Sequence, residues 1–534
     1  MPMQPSIQEQ TQLMPISLVA PAFKGINLEQ AGGILGPEWA STLDNIVFDA
    51  SGRPASRLGW TSQHDSASSD VVMRVFEYYK ADGTSSTIYS TDADVYEGTT
   101  SKEGTLTITE GNIKFVNFND SVVAFGIGTG GIPAIKTGTG NFADITVNSG
   151  TAPTGGIGTS AFGRLWAVDT DGKTLRYSAL LDETRWDTAN GGGSIDFSKV
   201  WPSGQQDIVA IEEFGGDIIV FGSADTVVVS DGAGASLGID PTTIYVADTL
   251  PGVGAVSQFA LCRAAGDLWV LTKQGITGLR RELVQRSTPI TNMSRHVQSQ
   301  IITLTNAETD TDDITLMYNP RDSFVLAIFP GSDTQICFDT RSPMEDGTYR
   351  ASTWTSDLQT AHWMQDAGEM YGSLTGSVGD VFKYIGNDDN GTTYAVDYES
   401  GWLDLGQELN TYLKFIKRMT SFLYVSKSVT VTHKFQYDFG LNEFTAQRTT
   451  SGAAAAQWGL AEWGNNGVYD YTDSGLVAGT DVAEWSGAIT LRTMDAPGKG
   501  SGQYIRVGIR LDTASGEFSL QQLNLYAKVG RLAT

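Results

Sequence analysis

The sequence predicts an all-β chain built mainly from one repeated unit, and three observations carry that prediction. A short strand–turn–strand phrase recurs along the middle of the chain. Runs of β-branched and aromatic residues are frequent, as in Thr105-Leu106-Thr107-Ile108-Thr109 and Val227-Val228-Val229, while long helical periodicity is almost absent. Strict apolar–polar alternation returns near the end, in Tyr504-Ile505-Arg506-Val507-Gly508-Ile509-Arg510-Leu511.

The phrase is clearest as Phe214-Gly215-Gly216-Asp217-Ile218-Ile219-Val220-Phe221-Gly222. Further copies are Phe118-Asn119-Asp120-Ser121-Val122-Val123-Ala124-Phe125 and Ala265-Gly266-Asp267-Leu268-Trp269-Val270-Leu271. Looser ones start at Phe162-Gly163-Arg164, Arg321-Asp322-Ser323 and Ala367-Gly368-Glu369. Each is a tight turn opening into a strand. The spacing of roughly 45–55 residues suits a four-stranded blade. A unit of that size cannot bury its own apolar face, so successive copies must pack on one another. The expected fold is a β-propeller of about six or seven blades over residues 65–400, with an additional β-rich domain built from the chain ends.

In chain order, residues 1–12 are polar and Gln-rich and read as a flexible arm. Residues 13–64 form an extended N-terminal segment, broken by Gly36-Pro37 and Gly52-Arg53-Pro54, that packs on another domain or a neighbouring subunit. The repeats begin with Val71-Val72-Met73-Arg74-Val75-Phe76 and the hairpin dipeptide Asp82-Gly83; Asp171-Gly172 and Asn390-Gly391 are similar. Residues 137–160 and 187–194 are Gly/Thr/Asn-rich and read as exposed loops. Residues 401–534 form a separate β domain. Its aromatic, Gly-rich insertion 452–487 carries Trp458, Trp463, Tyr469, Tyr471 and Trp485. Such aromatics either contact a partner or pin the loop onto its own domain.

Asp plus Glu number 61 against 35 Lys plus Arg, a formal charge of −26. That balance favours solubility and disfavours tight binding to a nucleic-acid backbone, which needs clustered cations. It leaves room for a passage through which nucleic acid slides without sticking. The two cysteines, Cys262 and Cys337, lie apart in strand-like stretches and read as small buried hydrophobes, with neither a disulfide framework nor a zinc site. The first residues lack the basic start and apolar core of a signal peptide, and no stretch reaches the ~18 apolar residues of a membrane span. The expectation is a chain made in the cytoplasm that inserts in no membrane.

Chemical motifs are weak. Gly126-Ile127-Gly128-Thr129-Gly130-Gly131 has the GxGxxG form but runs into Ile132-Pro133 with no helix to meet a pyrophosphate, so it reads as a turn. Gly234-Ala235-Ser236-Leu237-Gly238 has the GxSxG form of a nucleophile elbow but also lacks the following helix. Ala167–Gly172 and Gly386–Gly391 share part of a calcium loop without its first acidic ligand, and hairpin turns explain them better. Glu212, Glu213, Asp217 and Asp366 are among the carboxylates a propeller glycosidase would need in pairs, but nothing in the sequence brings two together. No catalytic residue, cofactor or metal site is expected.

Four phrases in order resemble the tail nozzle (tail tubular protein B-like) family of short-tailed bacteriophages. They are Gly25-Ile26-Asn27 through Gly36-Pro37-Glu38-Trp39 and Leu43-Asp44-Asn45 to Arg57-Leu58-Gly59-Trp60; Gly163-Arg164-Leu165-Trp166 with Tyr177–Leu181 and Trp186; Ile195-Asp196-Phe197 with Val200-Trp201-Pro202; and Ser400–Gly406 followed by Lys414-Phe415-Ile416-Lys417-Arg418. The resemblance implies a structural virion protein with no catalysis of its own. It would form a homohexameric ring below the portal, seated on the tail adaptor through a platform built from the chain ends. Tail fibres or spikes would be further partners, and the ring would line and gate the channel for DNA ejection. The implied location is the virion tail, after synthesis in the host cytoplasm. Trp39, Arg53, Arg57, Lys414, Lys417 and Arg418 are the candidate adaptor or subunit interface. The alternative is a tail-associated propeller that depolymerises polysaccharide or binds a receptor; a secreted adhesin is disfavoured by the missing signal peptide.

Overall fold

The computed structural model describes residues 13–104, 106, 108, 110–231, 243–280, 292–404, 412–425, 429–449, 490–513 and 518–532. The expected arm 1–12, the GxSxG phrase at 234–238 and the aromatic insertion 452–487 lie outside them. The chain divides into two units: residues 1–59 with 386–534, and residues 60–385.

The first strands belong to the split unit: β1 (Met14–Val19), β2 (Ala40–Asp44), β3 (Ile46–Phe48) and β4 (Pro54–Ser56). Then the propeller begins with β5 (Trp60–Asp65). Blade 1 is β6 (Arg74–Tyr79), β7 (Ser85–Ser90), β8 (Val95–Glu97) and β9 (Thr100–Ser101). Blade 2 is β10 (Phe115–Phe118), β11 (Ser121–Ala124), β12 (Ala134–Thr137) and β13 (Ala143–Asp144). Blade 3 is β14 (Gly158–Ala161), β15 (Arg164–Val168), β16 (Thr174–Tyr177) and β17 (Gly193–Asp196). Blade 4 is β18 (Ile208–Phe214), β19 (Asp217–Gly222), β20 (Asp225–Asp231) and β21 (Ile244–Pro251). Blade 5 has three described strands, β22 (Leu261–Ala264), β23 (Asp267–Thr272) and β24 (Gly275–Gly278), and is followed by helix α1 (Gln298–Ala307). Blade 6 is β25 (Thr315–Asn319), β26 (Phe324–Ile328), β27 (Gln335–Asp339) and β28 (Arg350–Trp354). Blade 7 is β29 (Leu358–Met364), β30 (Glu369–Leu374) and β31 (Asp380–Tyr384), with β5 as its outer strand.

Six of these sets are self-contained sheets of three or four strands, and the meander β25–β28 makes a seventh, in keeping with the expected six or seven blades. All pair antiparallel. The recurring phrase of the sequence is the turn between the first two strands of blades 2 to 7. There the backbone goes left-handed at Asn119, Phe162, Gly215, Gly216, Ala265, Gly266, Ser323 and Gly368, which is why Gly and Asn recur at this point.

Apolar clusters lie between blades, as the repeat argument requires. Ile88 and Tyr78 of blade 1 pack with Phe115 and Val122 of blade 2. Val123 and Phe125 of blade 2 pack with Leu165 and Ala167 of blade 3, and Trp166 and Tyr177 of blade 3 with Ile218 and Val220 of blade 4. Ile219 and Phe221 of blade 4 meet Leu268 and Val270 of blade 5. The Trp269 ring of blade 5 lies tilted against Tyr349 beside blade 6 at 4.8 Å, and Trp354 of blade 6 stacks on Tyr384 of blade 7 at 5.7 Å. Met364, Tyr371 and Val381 of blade 7 pack with Val75 and Tyr89 of blade 1, closing the ring. The closure is by strand pairing: β5, from the start of the propeller, pairs Trp60 with Tyr384 and Asp65 with Asp380.

The remaining strands complete the split unit: β32 (Ala395–Ser400), β33 (Tyr412–Val425), β34 (Thr430–Tyr437), β35 (Phe444–Thr449), β36 (Thr490–Pro497), β37 (Ser501–Gly502), β38 (Ile505–Asp512) and β39 (Phe518–Leu532). One sheet runs β3-β4-β39-β33-β36, with β1 also on β39 and β37 on β33; the other strands of the unit run β2-β32-β38-β34-β35. Ser421 on β33 and His433 on β34 join the two sheets across a buried interior at 3.0 Å. Alternating burial of β34 and β38 follows the apolar–polar alternation of their sequences.

Two boundaries differ from the sequence reading. Residues 60–65 belong to the propeller because they supply its last strand. Residues 386–400 belong to the split unit because β32 pairs with β2 and β38. The phrase Gly126–Gly131 is the β11–β12 turn with a short 3-10 turn in it, and Asp171-Gly172 and Asn390-Gly391 are turns as well.

Candidate functional site

The six candidate interface residues divide sharply by burial. Arg57 and Lys414 are fully buried, so their charges serve the interior of the split unit. Arg57 donates from Nη1 and Nη2 to both oxygens of Asp389 at 2.9 and 2.7 Å, from Nε to Asn45 Oδ1 at 2.9 Å, and to the Leu58 carbonyl at 2.9 Å. Its guanidinium lies 3.7 Å from the centre of the Tyr394 ring, and the Tyr394 hydroxyl donates to the Arg57 carbonyl. Asn45 is preset for this clamp by a left-handed backbone (φ 57°) at the β2–β3 turn, and its Nδ2 donates to the Ala395 carbonyl at 2.7 Å. Gly59 follows because no side chain fits: a Cβ there would stand 1.8 Å from the Asp388 carbonyl oxygen. The phrase Arg57-Leu58-Gly59 is therefore a structural clamp.

Lys414 Nζ donates to the Gln503 carbonyl at 2.5 Å. Burial pushes its ammonium below the ordinary lysine range, against the pull of Asp404 and Asp438. Arg53 is half-buried, paired with Asp49 at 2.7 Å and set 4.2 Å over the Tyr424 ring. Trp39 is half-buried under Lys24, 5.8 Å from its ring. Lys417 and Arg418 alone of the six are exposed. They stand next to each other on β33, Arg418 lying 4.0 Å over Tyr526 with Asp495 3.6 Å away.

The sequence reading missed an apolar tip on the same unit. In the β34–β35 hairpin, Phe439, Leu441 and Phe444 are 55 %, 98 % and 41 % exposed. The Phe439 ring is held between Trp402 at 4.8 Å and Tyr504 at 5.1 Å. Asp438 and Phe439 both adopt left-handed backbone (φ 51° and 58°) to turn the tip outward. The signal was available as two large apolar residues flanking Gly440 in a turn. The tip thus holds three large apolar side chains open to solvent.

The propeller holds a second feature. The first strands of adjacent blades touch one another, so they ring the axis. There β6, β22, β25, β29 and the approach to β10 enclose a cavity of about 500 Å³. Its walls carry Phe76, Phe115, Phe259, Tyr318 and Trp363 together with Arg74, Lys114, Arg263 and His362. Arg74 is buried, donating to Thr315 Oγ1 at 2.6 Å, Thr360 Oγ1 at 3.2 Å and the Asp312 carbonyl, with its guanidinium 3.8 Å from the Phe259 ring. Arg263 is neutralised by Glu212 and Glu213 at 2.7 and 2.9 Å. Burial, with Lys114 adding to it, pushes the His362 imidazole down to about 4, so it is neutral at pH 7. Among the described residues no group of three His, Cys, Asp or Glu is disposed to hold a metal. No described helix is long and apolar enough to cross a membrane.

No family model and no curated protein matches the chain. Solved structures that it resembles include the β-propeller domain of Cps50 (Swd1) from Myceliophteria thermophila, at 8 % identity and TM-score 0.38 over 61 % of this chain and 99 % of that one. Others are Hsv2 from Kluyvelomyces marxianus (11 % identity, TM-score 0.24, 57 % of this chain and 74 % of that one) and a protein from Lactobacillus plantarum (11 %, 0.33, 57 % and 88 %). Of these, the Cps50 (Swd1) domain is described as a β-propeller.

Proposed function

We propose that the chain is a structural component of a short-tailed phage tail, forming with five copies of itself the nozzle below the adaptor and portal. What carries the reading is the order of the four nozzle-like phrases along the chain. The first and last of them, from opposite ends of the sequence, meet in one folded unit: Ala40 pairs with Ser400, and the Trp402 N–H donates to the Gly32 carbonyl at 2.8 Å. That unit is the proposed platform. The tip Phe439, Leu441 and Phe444 and the pair Lys417, Arg418 are its proposed contacts to a neighbouring copy or to the adaptor. The protein does no chemistry of its own; it holds and gates a passage. With a charge of −26, a lumen that repels phosphate lets DNA slide through.

The test is assembly. Purified chain mixed with the adaptor encoded beside it should give six-fold rings by electron microscopy. Leu441→Asp should leave monomers of unchanged melting temperature, since that side chain is almost wholly solvated in the monomer. Monomers from the unaltered chain with its adaptor, or rings from Leu441→Asp, would overturn the reading.

A further inference from the structure

Three cations reach the axial cavity of the propeller, and they are not equally occupied. Arg263 has two carboxylates. Arg74 spends both terminal nitrogens on Thr315, Thr360 and a backbone carbonyl, but its buried Nε has no hydrogen-bond partner among the described residues. Lys114 has none either: its Nζ forms no hydrogen bond and no ion pair with a described residue, and it lies 5.9 Å from the centre of the Phe259 ring. Burial holds that ammonium below the ordinary lysine range; Glu212 opposes the shift, while Arg74 and Arg263 add to it. A half-buried ammonium without a counter-ion is costly unless an anion completes it.

The rest of the wall says which anion. Phe76, Phe115, Phe259, Tyr318 and Trp363 give flat apolar surface, and a volume of about 500 Å³ lies in the range of small-molecule sites. Inorganic phosphate would satisfy the ammonium and leave the aromatic wall wet. We infer that the axial cavity binds a small organic anion with a flat apolar body (an aryl carboxylate, sulfonate or phosphate), its charge on Lys114 Nζ and its body against the aromatic wall. Every residue of the site belongs to the propeller unit.

A fluorescence titration of the full chain with 8-anilinonaphthalene-1-sulfonate tests this. One saturable site per chain is expected, weakened at least tenfold in Lys114→Met and kept within about threefold in Lys114→Arg, which retains the charge. Millimolar inorganic phosphate should fail to displace the probe, and benzoate should displace it. Lys114→Met should melt no lower than the unaltered chain, because it removes an uncompensated buried charge. Equal affinity in Lys114→Met, loss of binding in Lys114→Arg, or unsaturable uptake of the probe would each overturn the assignment.

Discussion

Replacing Arg57 with methionine should destabilise the split unit by about 3–5 kcal/mol, the cost of removing one partner from a buried ion pair. Three losses make up that figure. Asp389 loses a bidentate cation at 2.9 and 2.7 Å, discounted because its own side chain is 17 % exposed and partly rehydrates. Asn45 Oδ1 and the Leu58 carbonyl lose donors at 2.9 Å each, and unsatisfied buried acceptors cost about 1–3 kcal/mol apiece. The Tyr394 ring loses a guanidinium 3.7 Å away, worth about 1–2 kcal/mol when desolvated. Methionine recovers part of this by filling the stem's volume. Lysine should rescue little, since one ammonium cannot serve Asp389, Asn45 and Leu58 in the guanidinium's fork geometry. The assay is urea unfolding of the full chain with hydrogen exchange read by mass spectrometry. Protection should fall in peptides covering 40–58 and 386–400 and hold in those covering 160–230. A loss below about 1 kcal/mol, or one spread evenly over the propeller, would refute the clamp. In a double-mutant cycle with Asp389→Asn the pair should couple by about 1.5–3 kcal/mol.

The other expectations follow from single contacts. Gly59→Ala should prevent the split unit from closing, because its Cβ would meet the Asp388 carbonyl at 1.8 Å; a soluble variant with unaltered exchange would contradict this. Trp60→Ala should cost the propeller about 3–5 kcal/mol, since the buried ring sits 5.2 Å from Tyr384 at the closing strand; limited proteolysis should then cut within residues 355–385 first. Burial, opposed only in part by the Ala446 carbonyl, pushes the His433 imidazole down to about 4 from 6.5. The unfolded chain therefore takes up a proton that the folded one refuses. Stability rises with pH across that window and falls by about 3 kcal/mol as pH drops from 6.5 to about 4. In His433→Gln the pH dependence of urea unfolding should flatten by about one proton, and an unchanged slope would be decisive against it.

The propeller was legible because its signal is local. A turn that needs left-handed backbone at Gly215 and Gly216, or at Ala265 and Gly266, must write Gly, Asn or a tolerated substitute there every time a blade starts. The split unit was legible only as two odd ends. Its decisive pairings join residues far apart, Met14 with Ala527 and Ala40 with Ser400, and no periodicity within either end encodes the partner. The same reason explains the candidate site. Arg57 and Lys414 looked like surface cations because charge in a turn-rich segment is usually solvated, and their partners Asp389 and Gln503 lie hundreds and tens of residues away. Lys417 and Arg418 are both exposed although consecutive, because a register shift between Ile416 and Arg418 interrupts the alternation of β33 and leaves Ile416 and Met419 buried on either side. The axial cavity left no mark in the sequence, since Arg74, Lys114, Arg263 and His362 come from four different blades.

The closing strand of the propeller has a consequence for how the other unit forms. To join its two halves, the split unit must bring Gly59 within reach of Gly386, whose carbonyl accepts the Gly59 N–H at 2.9 Å. With residues 60–385 unfolded between them, that meeting carries a loop-closure entropy of about 5 kcal/mol. Once Trp60 is paired with Tyr384, the two ends already stand side by side and the loop term falls away. The propeller thus acts as a tether of near-zero length. Its closure is the step that makes the ends of this chain neighbours.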